Sequence, residues 1–238
     1  MKSILITGAS SGIGQATAEL FLDKGWRVGL IARRADKLAE VAAPHGDAAI
    51  PLPADVTDPD AMRGAFAQFV EKAGRLDVLF NNAGMFGPPG LIDEIALEDW
   101  QQVVDVNLTG MFIAAQLAFG QMRAQEPQGG RIINNGSISA HVPRPGSICY
   151  TSTKHAITGM TRTLSLDGRP FDIACGQLDI GNAESPMVAA LKERLPDTQT
   201  MDVAHAANAV LHMAELPLSA NVQFMTVMAT KMPYIGRG

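Results

Sequence analysis

The amino-acid sequence predicts an α/β fold: one doubly wound domain on a parallel sheet of about seven strands, with helices on both faces. Three observations carry this expectation. Short apolar runs alternate with longer stretches of helical pattern, the order that a parallel sheet with crossover helices requires. Runs such as VGLIA (Val28 to Ala32) and DVLF (Asp77 to Phe80) are apolar almost throughout, as expected of strands covered on both faces. A glycine-rich turn, TGASSGIG from Thr7 to Gly14, stands between the first apolar run and the first helical pattern.

From the N-terminus, the apolar run Ser3 to Ile6 reads as the first strand and Ile13 to Lys24 as the helix behind it. Strand Arg27 to Ile31 leads to helix Lys37 to Ala42, and strand Ala48 to Leu52 to helix Pro59 to Ala73. After strand Asp77 to Phe80 the long pattern Leu97 to Ala124 reads as one helix or a pair. Strand Arg131 to Asn134, helix Ser147 to Leu166, strand Asp172 to Gln177, helix Val203 to Ala214 and strand Val222 to Val227 complete the alternation. No repeat, low-complexity tract or linker interrupts it, and 238 residues with 47% hydrophobic content suffice for a full core, so residues 1–238 are expected to form one domain.

Composition excludes several classes of function. The formal charge is −5 and no block of Lys or Arg occurs, so the electrostatic footprint of a nucleic-acid binder is missing. The opening MKSILITGASSGIG has an apolar run too short for a signal peptide, and no segment approaches the roughly 18 apolar residues of a membrane span. A cytoplasmic location is expected. Cys149 and Cys175 have neither metal spacing nor a disulfide framework, which agrees with a reducing compartment. His155, His205 and His212 have no acidic or thiol partner at ligand spacing, so no metal site is expected.

Two stretches carry chemistry. In TGASSGIG, glycines permit a tight turn and close approach of backbone to a pyrophosphate, while the following helix offers free N–H groups and the positive end of its dipole. The spacing is G-x-x-x-G-x-G, unlike the G-x-G-x-x-G fingerprint. In YTSTK, Tyr150 and Lys154 stand four residues apart on one helical face. A free phenol, with a pKa of about 10, exchanges protons poorly at neutral pH, and a cation held close favours its phenolate. The pair therefore reads as a tuned general acid/base.

With Asn81-Asn82-Ala83-Gly84 and Ser137, these stretches resemble the short-chain dehydrogenase/reductase family, and the resemblance runs from about Lys2 to Asn182 with all motifs in the family's order and spacing. It implies a single NAD(P)-binding Rossmann-type domain that transfers a hydride between a nicotinamide cofactor and a small alcohol or carbonyl substrate. It also implies cofactor contacts from Gly8, Ser10, Ser11, Gly12, Ile13 and Gly14, from Asn82, Ala83 and Gly84, and from Tyr150 and Lys154. Asp55 and Val56 in PADVTD resemble the family's adenine contact, and Ile180 fits the residue that backs the nicotinamide. The implied catalytic set is Asn107 in DVNLTG, Ser137, Tyr150 and Lys154. In that set Tyr150 exchanges the proton, Ser137 orients the reacting oxygen, Lys154 lowers the phenol's pKa and holds the ribose, and Asn107 holds a water that links the lysine to solvent. A homodimer or homotetramer is the corresponding assembly.

The end of the second strand indicates which cofactor. Enzymes that bind NAD place an acid about 20 residues past the glycine turn to accept from the ribose 2′-hydroxyl, whereas a 2′-phosphate calls for Arg. Ala32 takes the acid's place, and Arg33 with Arg34 follows it, so NADP(H) is favoured over NAD(H). The chain departs from the family after the sixth strand, where Gln177-Leu178-Asp179-Ile180-Gly181-Asn182 lacks the usual Pro-Gly pair; Asp179 is read there as a turn cap. The tail MATKMPYIGRG also lacks the family's glycine-rich ending.

Substrate loops are expected at about 85–95, 139–149 and 183–200, the last as a mobile lid. Their Pro, Met, Leu and Val content suits a partly apolar small molecule, and Arg144 is the residue in them suited to a phosphate or carboxylate. His141 reads as a solvated loop residue and Cys149 as a packed, inert thiol. The alternative function is an NADP-binding sensor or scaffold without turnover, against which the retained proton-transfer set argues.

Overall fold

The computed structural model describes residues 1–235, apart from the side chains of Ala190 and Arg194. Its strands are β1 (Ser3–Thr7), β2 (Arg27–Ala32), β3 (Ala49–Pro53), β4 (Val78–Asn81), β5 (Gly130–Asn135), β6 (Ile173–Gly181) and β7 (Phe224–Met228). All pair in parallel in the spatial order β3-β2-β1-β4-β5-β6-β7. The helices are α1 (Gly12–Asp23), α2 (Ala35–Ala42), α3 (Pro59–Ala73), α4 (Leu97–Val104), α5 (Gly110–Ala124), α6 (Ile148–Gly168), α7 (Pro186–Arg194) and α8 (Val203–Glu215). The strand order reverses between β1 and β4, so a crevice opens beyond their C-terminal ends.

Alternate residues of each strand serve opposite cores. Ile4 and Ile6 of β1 join Val28, Leu30, Phe21 of α1 and Val210 and Met213 of α8 on one face. Leu5 joins Ile31, Leu79, Ile132, Phe66 and Phe69 of α3, and Ile113 and Met122 of α5 on the other. Both faces are covered, which explains why strand sequences such as VGLIA show no polar alternation.

Expected strands and helices all form, with ends displaced by a few residues, and three differences have physical reasons. First, β6 continues past Gln177 to Gly181, because its register with β7 extends from Gln177 opposite Phe224 to Gly181 opposite Met228. Second, the segment read as a mobile lid contains α7. Ser185 caps this helix by accepting from the Val188 N–H at 3.3 Å, and Pro186 occupies its first position, where a missing N–H costs nothing. Third, Leu97 to Ala124 forms one helical run of 28 residues with a mean hydropathy of 1.4 over its most apolar window, which is long and apolar enough to cross a membrane. No such run was expected from the sequence. Here Met111, Ile113, Ala114, Ala118 and Met122 of that run are buried, and Ile113, Ala114, Ala118 and Met122 belong to the core beneath the sheet.

Candidate active site

The ends of β1, β2, β4, β5 and β6 and the start of α6 bring most of the motifs to the crevice. At the end of β1, Thr7 ties the glycine turn to the end of β4: its hydroxyl accepts from the Asn82 N–H at 2.8 Å and the Ala83 N–H at 3.0 Å, and its carbonyl accepts from the Asn82 amide at 2.9 Å. A Cβ on Gly14 would meet the Gly8 carbonyl oxygen and lie 2.7 Å from the Asn82 amide nitrogen, so the close approach of α1 to the turn requires glycine there. Gly12, at φ +56°, opens α1, and no side chain caps the helix. Its first N–H groups are left for a ligand, in a cleft of about 450 Å³ lined by Gly8, Ser10, Ser11, Gly12 and Ile13. A dinucleotide pyrophosphate fits this cradle.

The far end of the same cleft is lined by Ala32, Arg33, Arg34, Asp55 and Val56. Arg34 donates to the Ser10 hydroxyl at 2.9 Å and to the Ser10 carbonyl at 3.2 Å. Arg33 is exposed and stands 4.0 Å from the Asp55 carboxylate. The other oxygen of Asp55 accepts from the Thr57 N–H at 3.0 Å and its hydroxyl at 2.8 Å, while the cap of α3 is Asp58. Asp55 therefore shapes its own turn and borders the cleft at once.

At the opposite end, α6 carries Tyr150 and Lys154 inward, respectively 9% and 3% exposed, with the lysine nitrogen 5.5 Å from the tyrosine ring centroid. Lys154 donates to the Asn135 carbonyl at the end of β5 at 2.7 Å. Ser137, two residues further on, lines the cleft with them, and its hydroxyl accepts from the Ser139 N–H at 3.1 Å. Asn107 sits in a π turn, Asp105–Thr109, that joins α4 to α5. Fully buried, its amide bonds both the N–H and carbonyl of Met85 at 2.8 Å and donates to the Thr153 hydroxyl at 3.2 Å. Asn107 thus locks the segment after β4 against α6, three residues from Tyr150; it neither lines the cleft nor hydrogen-bonds Lys154 directly. Ile180 lines the cleft, as do Asn82, Ala83 and Gly84.

The electrostatics differ from the expectation that the lysine pulls the phenol down. Burial pushes the Tyr150 pKa up; the Ser137 hydroxyl and the Arg144 guanidinium pull it back in part, and the Asp179 carboxylate raises it further. Burial also lowers Lys154 to about 8, against the opposing charge of Asp179. Desolvation wins for both groups because each disfavours its charged form when removed from water.

Asp179 has a definite place. It is fully buried in β6, and one oxygen accepts from the Ser137 N–H at 3.0 Å and the Gln177 amide at 2.7 Å; the other meets His141 at 2.8 Å. It fixes the turn that carries Ser137, and His141 is its partner there and not a free loop residue. Sequence reasoning missed this role, and also Asn135 and Ser185. Ser185 packs where a Cβ on Gly12 would lie 3.1 Å from its own Cβ, closing the glycine turn from above. Phe86, edge-on to Tyr150 at 4.8 Å between centroids, had no signal beyond its position after Asn-Asn-Ala-Gly. Cys149 is buried as expected, and burial raises its thiol pKa.

Comparison with known proteins agrees with this geometry. The family model described as short chain dehydrogenase matches residues 2–196. A 3beta-hydroxysteroid dehydrogenase of Mediterraneibacter gnavus is 32% identical over 203 residues, 82% of this chain and 72% of that protein. Among solved structures, a 3-ketoacyl-(acyl-carrier-protein) reductase from Brucella melitensis complexed with NADH superposes with a TM-score of 0.88 at 26% identity, over 95% of this chain and 96% of the other. The closed form of a serine dehydrogenase complexed with NADP+ has the same fold, with a TM-score of 0.92 at 22% identity over 99% and 98%. The chain belongs to the short-chain dehydrogenase/reductase family and is an oxidoreductase of the dehydrogenase/reductase type.

Proposed function

We propose that the protein interconverts a small alcohol and its carbonyl with NADP(H), using Tyr150 as the general acid/base. The observation that carries this reading is that Tyr150, Ser137 and Lys154 meet at one end of a single cleft whose other end holds the uncapped start of α1 and Arg33 with Arg34. The nicotinamide cofactor supplies or accepts the hydride. The chain supplies the rest. Gly8 to Gly14, with the N-terminus of α1, would hold the pyrophosphate, and Arg33 the 2′-phosphate, with Ala32 in place of the acid that a free 2′-hydroxyl would call for. Ser137 orients the reacting oxygen, its own turn fixed by Asp179. Tyr150 gives a proton to that oxygen in reduction and takes it back in oxidation; its raised pKa keeps the phenol protonated at neutral pH, ready to donate. Both NADH and NADP+ complexes occur among similar structures, so the preference for NADP(H) rests on Ala32 and Arg33 alone. We further propose a homodimer or homotetramer, supported by the exposed Leu97, Phe112 and Leu166 on α4, α5 and α6.

Tyr150→Phe keeps the ring and removes the proton. Turnover should fall on the order of 100-fold or more while fluorescence titration shows cofactor binding intact; a variant within about tenfold of the parent would remove Tyr150 from this role. Arg33→Ala should weaken NADPH binding roughly ten- to a hundredfold and NADH binding far less. Equal losses for the two cofactors would leave Arg33 as a loop residue.

A further inference from the structure

The loop that leads into α6 reads Val142-Pro143-Arg144-Pro145-Gly146-Ser147, and its arginine, whose charge partly offsets the rise in the Tyr150 pKa, has no partner assigned to its N–H edge. Two prolines restrict its backbone on either side. The Arg144 carbonyl accepts from the Ser147 hydroxyl at 2.7 Å, and the Gly146 carbonyl accepts from the Gly90 N–H at 3.2 Å, which ties the loop to the segment after β4. So held, the guanidinium lies 5.4 Å from the centroid of Phe86 and 6.0 Å from that of Tyr150, on the wall of the cleft. Its Nε is wholly shielded from solvent and has no hydrogen-bond partner, and among the described residues no carboxylate comes within 4.0 Å. Among the described residues lining the cleft, Asp55 is the one acid, and it stands at the opposite end beside Arg33.

A buried donor without an acceptor is costly, and a stack on two aromatic rings satisfies the face of a guanidinium but not its N–H edge. That edge, facing the cleft, is open to an acceptor that arrives with the substrate. A single planar fork matches a carboxylate, which accepts two parallel N–H bonds and carries one charge; a phosphate dianion calls for more cations than this end of the cleft offers once Lys154 is engaged with Asn135. Beside Phe86 the cleft is also lined by Met85, Val106 and Met187, apolar side chains that suit a short hydrocarbon chain. We infer that Arg144 anchors the carboxylate of a short hydroxy acid, or of the corresponding oxo acid, with the carbinol next to the carboxylate or one carbon beyond it. This inference rests on the oxidoreductase reading for the reaction itself. In oxidation the carbinol C–H bond breaks with its hydride passing to the oxidised nicotinamide, the hydroxyl proton passes to Tyr150 in its phenolate form, the C=O bond forms, and the carboxylate stays unchanged on Arg144.

Matched pairs test it: 3-hydroxybutyrate against its methyl ester, and lactate against its methyl ester, each with NADP+ and with the parent enzyme and Arg144→Gln. The parent should prefer at least one acid over its ester by roughly ten- to a hundredfold in kcat/KM, and the preference should collapse toward one in the variant. A ratio divides out any effect of the arginine on the Tyr150 pKa, on folding or on cofactor binding. Calorimetric titration of the NADP+-saturated protein with acetoacetate, which oxidised cofactor cannot turn over, reads the site without turnover; Arg144→Gln should weaken it at least about tenfold while NADP+ itself titrates as in the parent. Esters or neutral alcohols oxidised as well as acids, or acetoacetate bound equally by parent and variant, would overturn the anchor and leave the oxidoreductase reading standing. Acetoacetate held through Arg144, without turnover of any alcohol or acid, would support the anchor and overturn that reading instead.

Discussion

Lys154 shows how a single residue can be costly to the fold while standing in the proposed site. Its ordinary pKa of 10.5 falls to about 8 because burial penalises the ammonium. The unfolded chain therefore holds the proton more tightly, and the native state bears a penalty that is complete below pH 8 and shrinks as pH climbs to 10.5, where both states lose the proton. At neutral pH the penalty is on the order of 3 kcal/mol, against which the hydrogen bond to Asn135 returns about 1 to 2 kcal/mol. Lys154→Met should thus raise the melting temperature of the protein without added cofactor, by about 2 to 8 °C at pH 7, while NADP(H) affinity collapses. The advantage should disappear as pH nears 10.5. A variant less stable than the parent at pH 7 would show that Asn135 and Asp179 outweigh desolvation. Residues of this kind were legible because the helix repeat puts Tyr150 and Lys154 on one face within five letters of sequence. Asp179 was not, since its meaning lies in the Ser137 N–H, 42 residues away in the chain.

At the scale of elements, the glycine turn and α1 were readable in order, because the reasons for glycine are local backbone ones. The Gly14 contact sharpens them into a test. Gly14→Ala forces a methyl group against the Gly8 carbonyl and the Asn82 amide, in a turn that Thr7 already clamps to β4. Such overpacking costs about 1 to 3 kcal/mol. Cofactor affinity should fall at least about tenfold, because any shift of α1 misaims its N–H groups; an unchanged titration and melting curve would mean that α1 is free to move. Two of the elements misread in the sequence have separate causes. Polar letters in QLDIG suggested the end of a strand, yet Asp179 stays inside β6 because its carboxylate is fully partnered there. Prolines and charges suggested an open lid where α7 forms, since a nine-residue helix shows too little periodicity to be told from a loop.

For the whole molecule, the alternation of elements was legible and the strand order was not, because the order 3-2-1-4-5-6-7 is decided by which crossovers pack together and not by any local pattern. That order leaves the crevice between β1 and β4 open, and α7 becomes the element that borders it from above. Ser185 and Pro186 lie against Gly12, and Met187 and Val188 continue along the cleft wall. If a molecule that reaches from the glycine turn to Tyr150 can leave only when this short helix swings aside, the helix must push solvent out of its path. Friction then enters the catalytic cycle. In sucrose or glycerol the steady-state rate should fall roughly in inverse proportion to relative viscosity, while the first turnover of a rapid-mixing burst, which precedes release, keeps its rate. A steady state indifferent to viscosity would show that release does not wait on α7.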